Sequence, residues 1–256
     1  MLAILSPAKS IDSTPVSSGA DRTVHVFSAE SAELLAQLKA LTPGDLRSLM
    51  GISESLAELN HERHQGLSIP VPERALAAAH LFDGDVYKGL DARSLSEEDL
   101  VWSQDRVAIL SGLYGLLRPL DRTAPYRLEM GTRLVTDRGP NLYRFWGDRL
   151  AHRVDELVKG HVDPVIVDLA SKEYSRAVPR RATQAPWLTV QFKEVRGGKA
   201  RVISFFAKRA RGLMARHIIE NRIETREGLK SFTAEGYGFE PELSSDTTWV
   251  FTRSSA

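Results

Sequence analysis

The sequence contains no cysteine, and that absence removes disulfides, thiolate-ligated iron–sulfur clusters and every zinc site that uses a cysteine ligand. Long apolar runs are missing too: no stretch approaches the ~18 consecutive apolar residues of a membrane span. Met1-Leu2-Ala3-Ile4-Leu5-Ser6-Pro7 has no basic leader, and its apolar stretch is too short for a secretory signal before Pro7 interrupts it. A soluble, uncleaved chain is expected. Nor is there an excess of charge of one sign, since 34 Lys and Arg face 33 Asp and Glu for a net charge of +1. Any affinity for a polyanion must therefore come from local segregation of charge. No low-complexity linker or tandem repeat interrupts the 256 residues, of which 42% are hydrophobic. That is enough to bury a substantial core, near the upper size of one domain.

Three short apolar runs share a pattern: Ala3-Ile4-Leu5-Ser6, Ala108-Ile109-Leu110-Ser111, and Val165 to Ser171. Each ends in serine, and helical patterns lie between them. Continuous apolar runs of this length suit strands buried on both faces of a largely parallel sheet. Ligands gather at the carboxyl ends of such strands, so Ser6-Pro7-Ala8-Lys9, Ser111-Gly112 and Ser171-Lys172 are expected to face one crevice. The alternative is that serine closes each strand for local hydrogen-bonding reasons. Leu188 to Val195 alternates apolar and polar residues, Gly197-Gly198 supplies a two-residue turn, and Arg201 to Phe205 returns, which predicts a β-hairpin. Trp249-Val250-Phe251 reads as a closing strand. The expected fold is a mixed α/β domain over residues 1–256.

Glu33 to Leu59 is helical in three pieces, with Thr42-Pro43-Gly44-Asp45 as a cap and Gly51-Ile52-Ser53 breaking a second helix and capping a third. The helical subregion 29–65 resembles a helix-hairpin-helix, in which a tight turn aims N–H groups at a DNA phosphate; a purely structural turn is the other reading.

Charge is segregated most clearly from Arg201 to Arg226, where seven basic residues face Glu220 and Glu224. Wound as a helix, this stretch places Phe206, Ala210, Leu213, Met214 and Ile218 on one arc and Lys208, Arg209, Arg211, Arg216 and Arg222 on the other. Ala207, Gly212 and Ala215 would keep its surface low for a bulky partner. Phosphate binding suits such an imbalance, and a solvated helix face is the competing explanation. Residues 111–133 hold two prolines, three glycines and four arginines. They predict an ordered loop whose Ser111-Gly112 amides hold a phosphate and whose Tyr114 or Tyr126 stacks on a base. Asp121 and Glu129 in the same loop are either an acid–base pair or counter-ions of its arginines. His61 with His64, and Asp83 with Asp85, are incomplete metal-ligand sets without a visible third and fourth ligand. No metal or cofactor is expected.

Ser6-Pro7-Ala8-Lys9, Phe82 to Leu90, Ile109 to Arg133, Asn141 to Gly147, Leu169 to Tyr174 and Lys208 to Arg222, taken in order, resemble the signature blocks of the YaaA (DUF328, UPF0246) peroxide-stress family. The resemblance implies a cytoplasmic bacterial protein associated with hydrogen-peroxide stress and with limiting iron-dependent damage. It also implies one mixed α/β fold with a positively charged cleft and a helix-hairpin-helix-like element proposed to bind DNA. No established catalytic residue transfers with it, and members also carry Asn or Asp where Lys172 stands. The residues and the resemblance together predict phosphate contacts from Lys9, Arg118, Arg127, Arg133, Lys172, Lys208, Arg209, Arg211, Arg216 and Arg222 to double-stranded or locally unpaired DNA. Little base specificity is expected. An enzyme acting on a nucleotide or modified base, with Asp121 or Glu129 transferring protons, is the alternative.

Overall fold

Apolar runs that sequence patterning assigns to buried strands supply the centre of the sheet in the structure, a computed structural model that describes residues 1–16 and 19–254. The strands are β1 (Leu2–Leu5), β2 (Ser10–Ile11), β3 (Leu76–Ala77), β4 (Phe82–Asp83), β5 (Val107–Ser111), β6 (Gly115–Leu117), β7 (Arg122–Thr123), β8 (Ile166–Asp168), β9 (Trp187–Arg196), β10 (Lys199–Arg201), β11 (Gly238–Phe239) and β12 (Thr248–Ser254). The helices are α1 (Ser28–Ala40), α2 (Pro43–Met50), α3 (Glu54–Gly66), α4 (Ala78–Leu81), α5 (Asp85–Leu90), α6 (Glu97–Ser103), α7 (Leu142–Trp146), α8 (Arg149–Val158), α9 (Lys172–Ser175) and α10 (Ser204–Glu220).

The main sheet runs β11-β12-β9-β8-β1-β5-β6, with β10 folded back on β9. β5, β1, β8, β9 and β12 are mutually parallel neighbours, while β6, β10 and β11 pair antiparallel. Every residue of β1, β5 and β8 is buried, which is why these segments read as unbroken apolar runs. β9 has water nearer one face and alternates accordingly. The α/β class, the mixed sheet and the closing strand are as expected.

Between β9 and β10, Gly197 and Gly198 have φ of 53° and 73°, the double positive φ of a tight hairpin turn that only glycine adopts at no cost. The returning strand is shorter than predicted. β10 ends at Arg201, and Ser204 and Phe205 already belong to α10, because the helical arc of apolar residues begins there. Residues 111–133 are ordered but more than a loop. They contain β6, which turns back on β5 with Ser111 opposite Gly115, and β7, which pairs with β3.

The helical region forms the three expected pieces. Thr42 and Asp45 make a reciprocal capping box with Pro43 in the first turn of α2, Gly51 ends that helix in the left-handed conformation, and Ser53 caps α3. α10 packs along α5 and reaches β9 and α6, while α8 lies on β1. The small residues of α10 do not lower a surface for an outside molecule. A Cβ on Gly212 would lie 1.7 Å from the Val86 carbonyl oxygen, and one on Gly89 would lie 2.2 Å from that of Arg209. The bulky partner is α5 of the same chain. Among the described residues no helix is long and apolar enough to cross a membrane.

Candidate functional site

Where β1 and β8 end side by side, their closing serines meet. Ser6 Oγ donates to Ser171 Oγ at 3.2 Å and accepts from the Ser171 N–H at 2.8 Å. Tyr87 donates to the Ser6 carbonyl from beneath at 3.0 Å. Ser111 does not join them: it is fully buried, its hydroxyl bonded to that of Tyr126 at 2.6 Å. The predicted convergence therefore holds for two serines of three, and Ser111 closes its strand by local hydrogen bonding.

Two adjoining cavities open here. The smaller, of about 550 Å³, is lined by the Ser6–Ser10 loop, Asp83 to Val86, Tyr126 to Glu129, Ser171 and Lys208. The larger, of about 860 Å³, lies between Asp168 on β8, the segment after α9, and β9. Arg211 of α10 borders both. Charge divides them. The smaller cavity sets Lys9, Lys88, Arg127, Lys208 and Arg211 against Asp83, Asp85, Glu129 and Glu173. The larger sets Lys172, Arg176, Arg180, Arg181 and Arg211 against Asp168 alone. It is the strongly basic one.

At the floor of the larger cavity the Asp168 carboxylate accepts from the Ala170 N–H at 3.1 Å, Ser175 Oγ at 2.6 Å and Arg180 at 3.3 Å. Burial pushes its carboxyl above the usual carboxylate range, against the pull of Ser175, Ala170, Arg180 and Arg211. Arg180 also stacks over Trp187 at 4.6 Å and donates to Thr189 at 2.8 Å, so its guanidinium is fixed in place. Arg176 lies over the Tyr143 ring at 4.7 Å, and Arg181 pairs with Asp148 at 3.1 Å. Lys172, Lys208 and Arg211 make neither a side-chain hydrogen bond nor an ion pair within 4.0 Å among the described residues. For Arg211 this is unusual, since burial lowers its pKa and only the field of Asp168 opposes that.

Of the predicted phosphate ligands, Lys9, Arg127, Lys172, Lys208 and Arg211 border the two cavities. Lys9 and Arg127 share Glu129, each at 2.9 Å. The remaining five lie elsewhere. Arg118 pairs with Asp121 at 3.8 Å, and Arg209 with Glu235 at 2.6 Å. Arg216 pairs with Glu220 at 2.8 Å, and Arg222 with Asp99 at 2.6 Å while lying 5.2 Å from the Trp102 ring. Arg133 is exposed and borders neither cavity.

Asp121 and Glu129 do not share a cavity. Asp121 is 2% exposed and accepts from Thr23 Oγ1 at 2.6 Å and the Arg118 N–H at 2.7 Å. Tyr114 and Tyr126 are buried, and a Cβ on Gly112 would lie 2.2 Å from the Leu128 carbonyl oxygen. The expected phosphate turn and Tyr114 are packed inside the protein, and Tyr126, though buried, reaches only the edge of the smaller cavity. In the Gly51-Ile52-Ser53 turn, the Gly51 and Ile52 N–H groups both donate to the Arg47 carbonyl, and exposed Glu54, Glu58 and Glu62 recur along one face of α3. His64 is buried, His61 Nδ1 lies 3.0 Å from the Leu41 carbonyl, and Asp83 and Asp85 border the smaller cavity. Among the described residues no group of three or more His, Asp or Glu is placed to hold a metal.

The family model for peroxide stress protein YaaA matches residues 1–243. The chain belongs to this family. It is similar to YaaA-family relatives named UPF0246 protein over almost its whole length: one from Caulobacter vibrioides is 50% identical over 253 residues, covering 99% of each chain. Another, from Phenylobacterium zucineum, is 51% identical over 253 residues, covering 99% of this chain and 95% of the relative. A third, from Hahella chejuensis, is 47% identical over 255 residues, covering 99% of each. In this YaaA-family chain, sequence reasoning missed Asp168, Arg176, Arg180 and Arg181. The basic cluster Arg176 to Arg181, a few residues beyond a buried strand and directly after α9, was the available signal, obscured by the larger basic run of α10.

Proposed function

We propose that this YaaA-family protein binds DNA, double-stranded or locally unpaired, by gripping phosphates along the two adjoining cavities. The observation that carries this reading is the larger cavity, where five cations face one carboxylate and Lys172 and Arg211 have no carboxylate of their own. Arginine and lysine without partners gain most from a phosphate, whose capture releases counterions into solution. The path runs from Lys9 and Arg127 through Lys208 and Arg211 to Lys172 and Arg176. The α2–α3 turn is left out of it, since its Gly51 and Ile52 amides are used internally and the acidic face of α3 repels phosphate.

A cytoplasmic location, and a part in limiting iron-dependent oxidative damage to DNA, belong to the same proposal and draw support from the peroxide-stress name of the family. The contacts are with the backbone, so discrimination among base sequences is small. Fluorescence anisotropy with a short labelled duplex tests the reading. With ~5 phosphates neutralised, affinity falls by a few hundredfold between 50 and 200 mM salt, and Lys172→Glu and Lys208→Glu each weaken binding further. An affinity that is flat with salt, or unchanged in both variants, overturns it.

A further inference from the structure

The larger cavity is more than a basic groove, because part of its wall is apolar. Val178, Val190 and Val202 line it together with Pro179, and the Asp168 carboxylate forms its floor. A bare run of phosphates would leave that apolar wall wet and set Asp168 against like charge. A ligand that meets every surface has an anionic end, a flat apolar body and hydrogen-bond donors at the far edge. Arg211 supplies a matching observation. Its half-buried guanidinium stands at the junction of the two cavities with no hydrogen-bond partner among the described residues, so its donors are free to take up a phosphate.

We propose that this cavity is a nucleotide subsite, holding a monophosphate group on Arg211, Lys172 and Arg176 with its heterocycle against Val178, Val190 and Val202 and its polar edge toward Asp168. The class of ligand is a nucleoside monophosphate unit, and it has two possible sources: a nucleotide extruded from DNA, or a free mononucleotide. The position of Arg211 favours the first, since a strand held by Lys9, Arg127 and Lys208 in the smaller cavity passes that guanidinium and can turn one residue inward there. This choice of source rests on the DNA reading above; the pocket itself does not. A nucleotide that is already unpaired has no stacking or pairing to break and enters most readily.

The test compares a fully paired duplex, the same duplex with one unpaired 2-aminopurine nucleotide, and free 2-aminopurine riboside monophosphate, each titrated into the full-length protein. The unpaired site is expected to bind about tenfold tighter than the paired duplex, with a change in 2-aminopurine fluorescence on binding. Val202→Trp, at a position 57% exposed and so without loss of core packing, narrows the cavity and should abolish that preference, bringing the unpaired site to the same affinity as the paired duplex in that variant. Arg211→Gln should lose the preference as well. If the free monophosphate binds and Val202→Trp prevents it, the subsite stands with the free nucleotide as its source. That holds even if duplex binding fails at every salt concentration, an outcome that removes only the DNA reading. Equal affinity for paired and unpaired duplex with no binding of the monophosphate overturns the proposal, as does a preference that survives Val202→Trp.

Discussion

A methyl group at Gly212 would sit 1.7 Å from the Val86 carbonyl oxygen and 2.7 Å from the Leu90 nitrogen, both backbone atoms that cannot rotate away. Gly89 meets the Arg209 carbonyl in the same way from the other helix. The crossing of α5 and α10 is thus set by two glycines, and α10 in turn holds Lys208 and Arg211 at the cavities. Overpacking a close contact costs roughly 1–3 kcal/mol, and more where backbone must move. Gly212→Ala is expected to reach at least the upper end of that range in urea unfolding. A change within about 0.5 kcal/mol, the scale of ordinary surface substitutions, would show that the crossing relaxes freely. From sequence alone Gly212 was visible as a small residue on a helix, but not what it touched, because Val86 lies over a hundred positions away. The same holds for Arg222, whose carboxylate partner Asp99 is equally remote in sequence, and for Arg216, which reaches Asp91 as well as its helix neighbour Glu220.

Within α10 the cations divide into two tasks that helical periodicity alone cannot separate. Arg216 donates to the Leu90 carbonyl at 3.1 Å, the Asp91 carbonyl at 3.0 Å and Ser94 Oγ at 2.8 Å. It thereby satisfies the carbonyl end of α5, where orphan acceptors would otherwise remain. Lys208, about two turns earlier, lines the smaller cavity without an ion pair among the described residues. Arg216→Ala should cost about 2 kcal/mol in urea unfolding, as the loss of hydrogen bonds to a charged donor does, and leave DNA affinity unchanged. Lys208→Ala should do the reverse. If both variants lost DNA affinity equally with no loss of stability, α10 would be one continuous cationic face, as its sequence suggests. Elements were legible where a physical period was present. The buried runs of β1, β5 and β8, the alternation of β9 and the caps of α2 and α3 carry their own signals. β6 and β7, three and two residues long, are too short to show any period and owe their pairing to tertiary contacts. For the same reason residues 111–133 read as a loop, and Tyr114 and Tyr126 as accessible.

Over the whole molecule a near-zero net charge conceals two distributions, one of cations at the cavities and one of histidines that are buried or half-buried. Five of the seven histidines, His25, His64, His80, His161 and His217, have their pKa lowered by burial first. His64 in α3 is fully buried and is brought down to about 4, with the Arg127 backbone only partly offsetting the loss of water. The folded protein keeps this imidazole neutral while the unfolded chain protonates it near its ordinary value of about 6.5. The stability that depends on the neutral form is therefore complete above pH 6.5 and drains away as pH falls toward 4, because the unfolded state binds the extra proton. For His64 alone the slope is about 1.4 kcal/mol per pH unit, or on the order of 3 kcal/mol across the window. Urea unfolding at pH 7 and pH 5 measures the difference directly. Wild type should lose stability between them, and His64→Leu should lose less by the share of one histidine. If wild type is equally stable at the two values, or if His64→Leu leaves the slope unchanged, the imidazole is not held neutral by its surroundings.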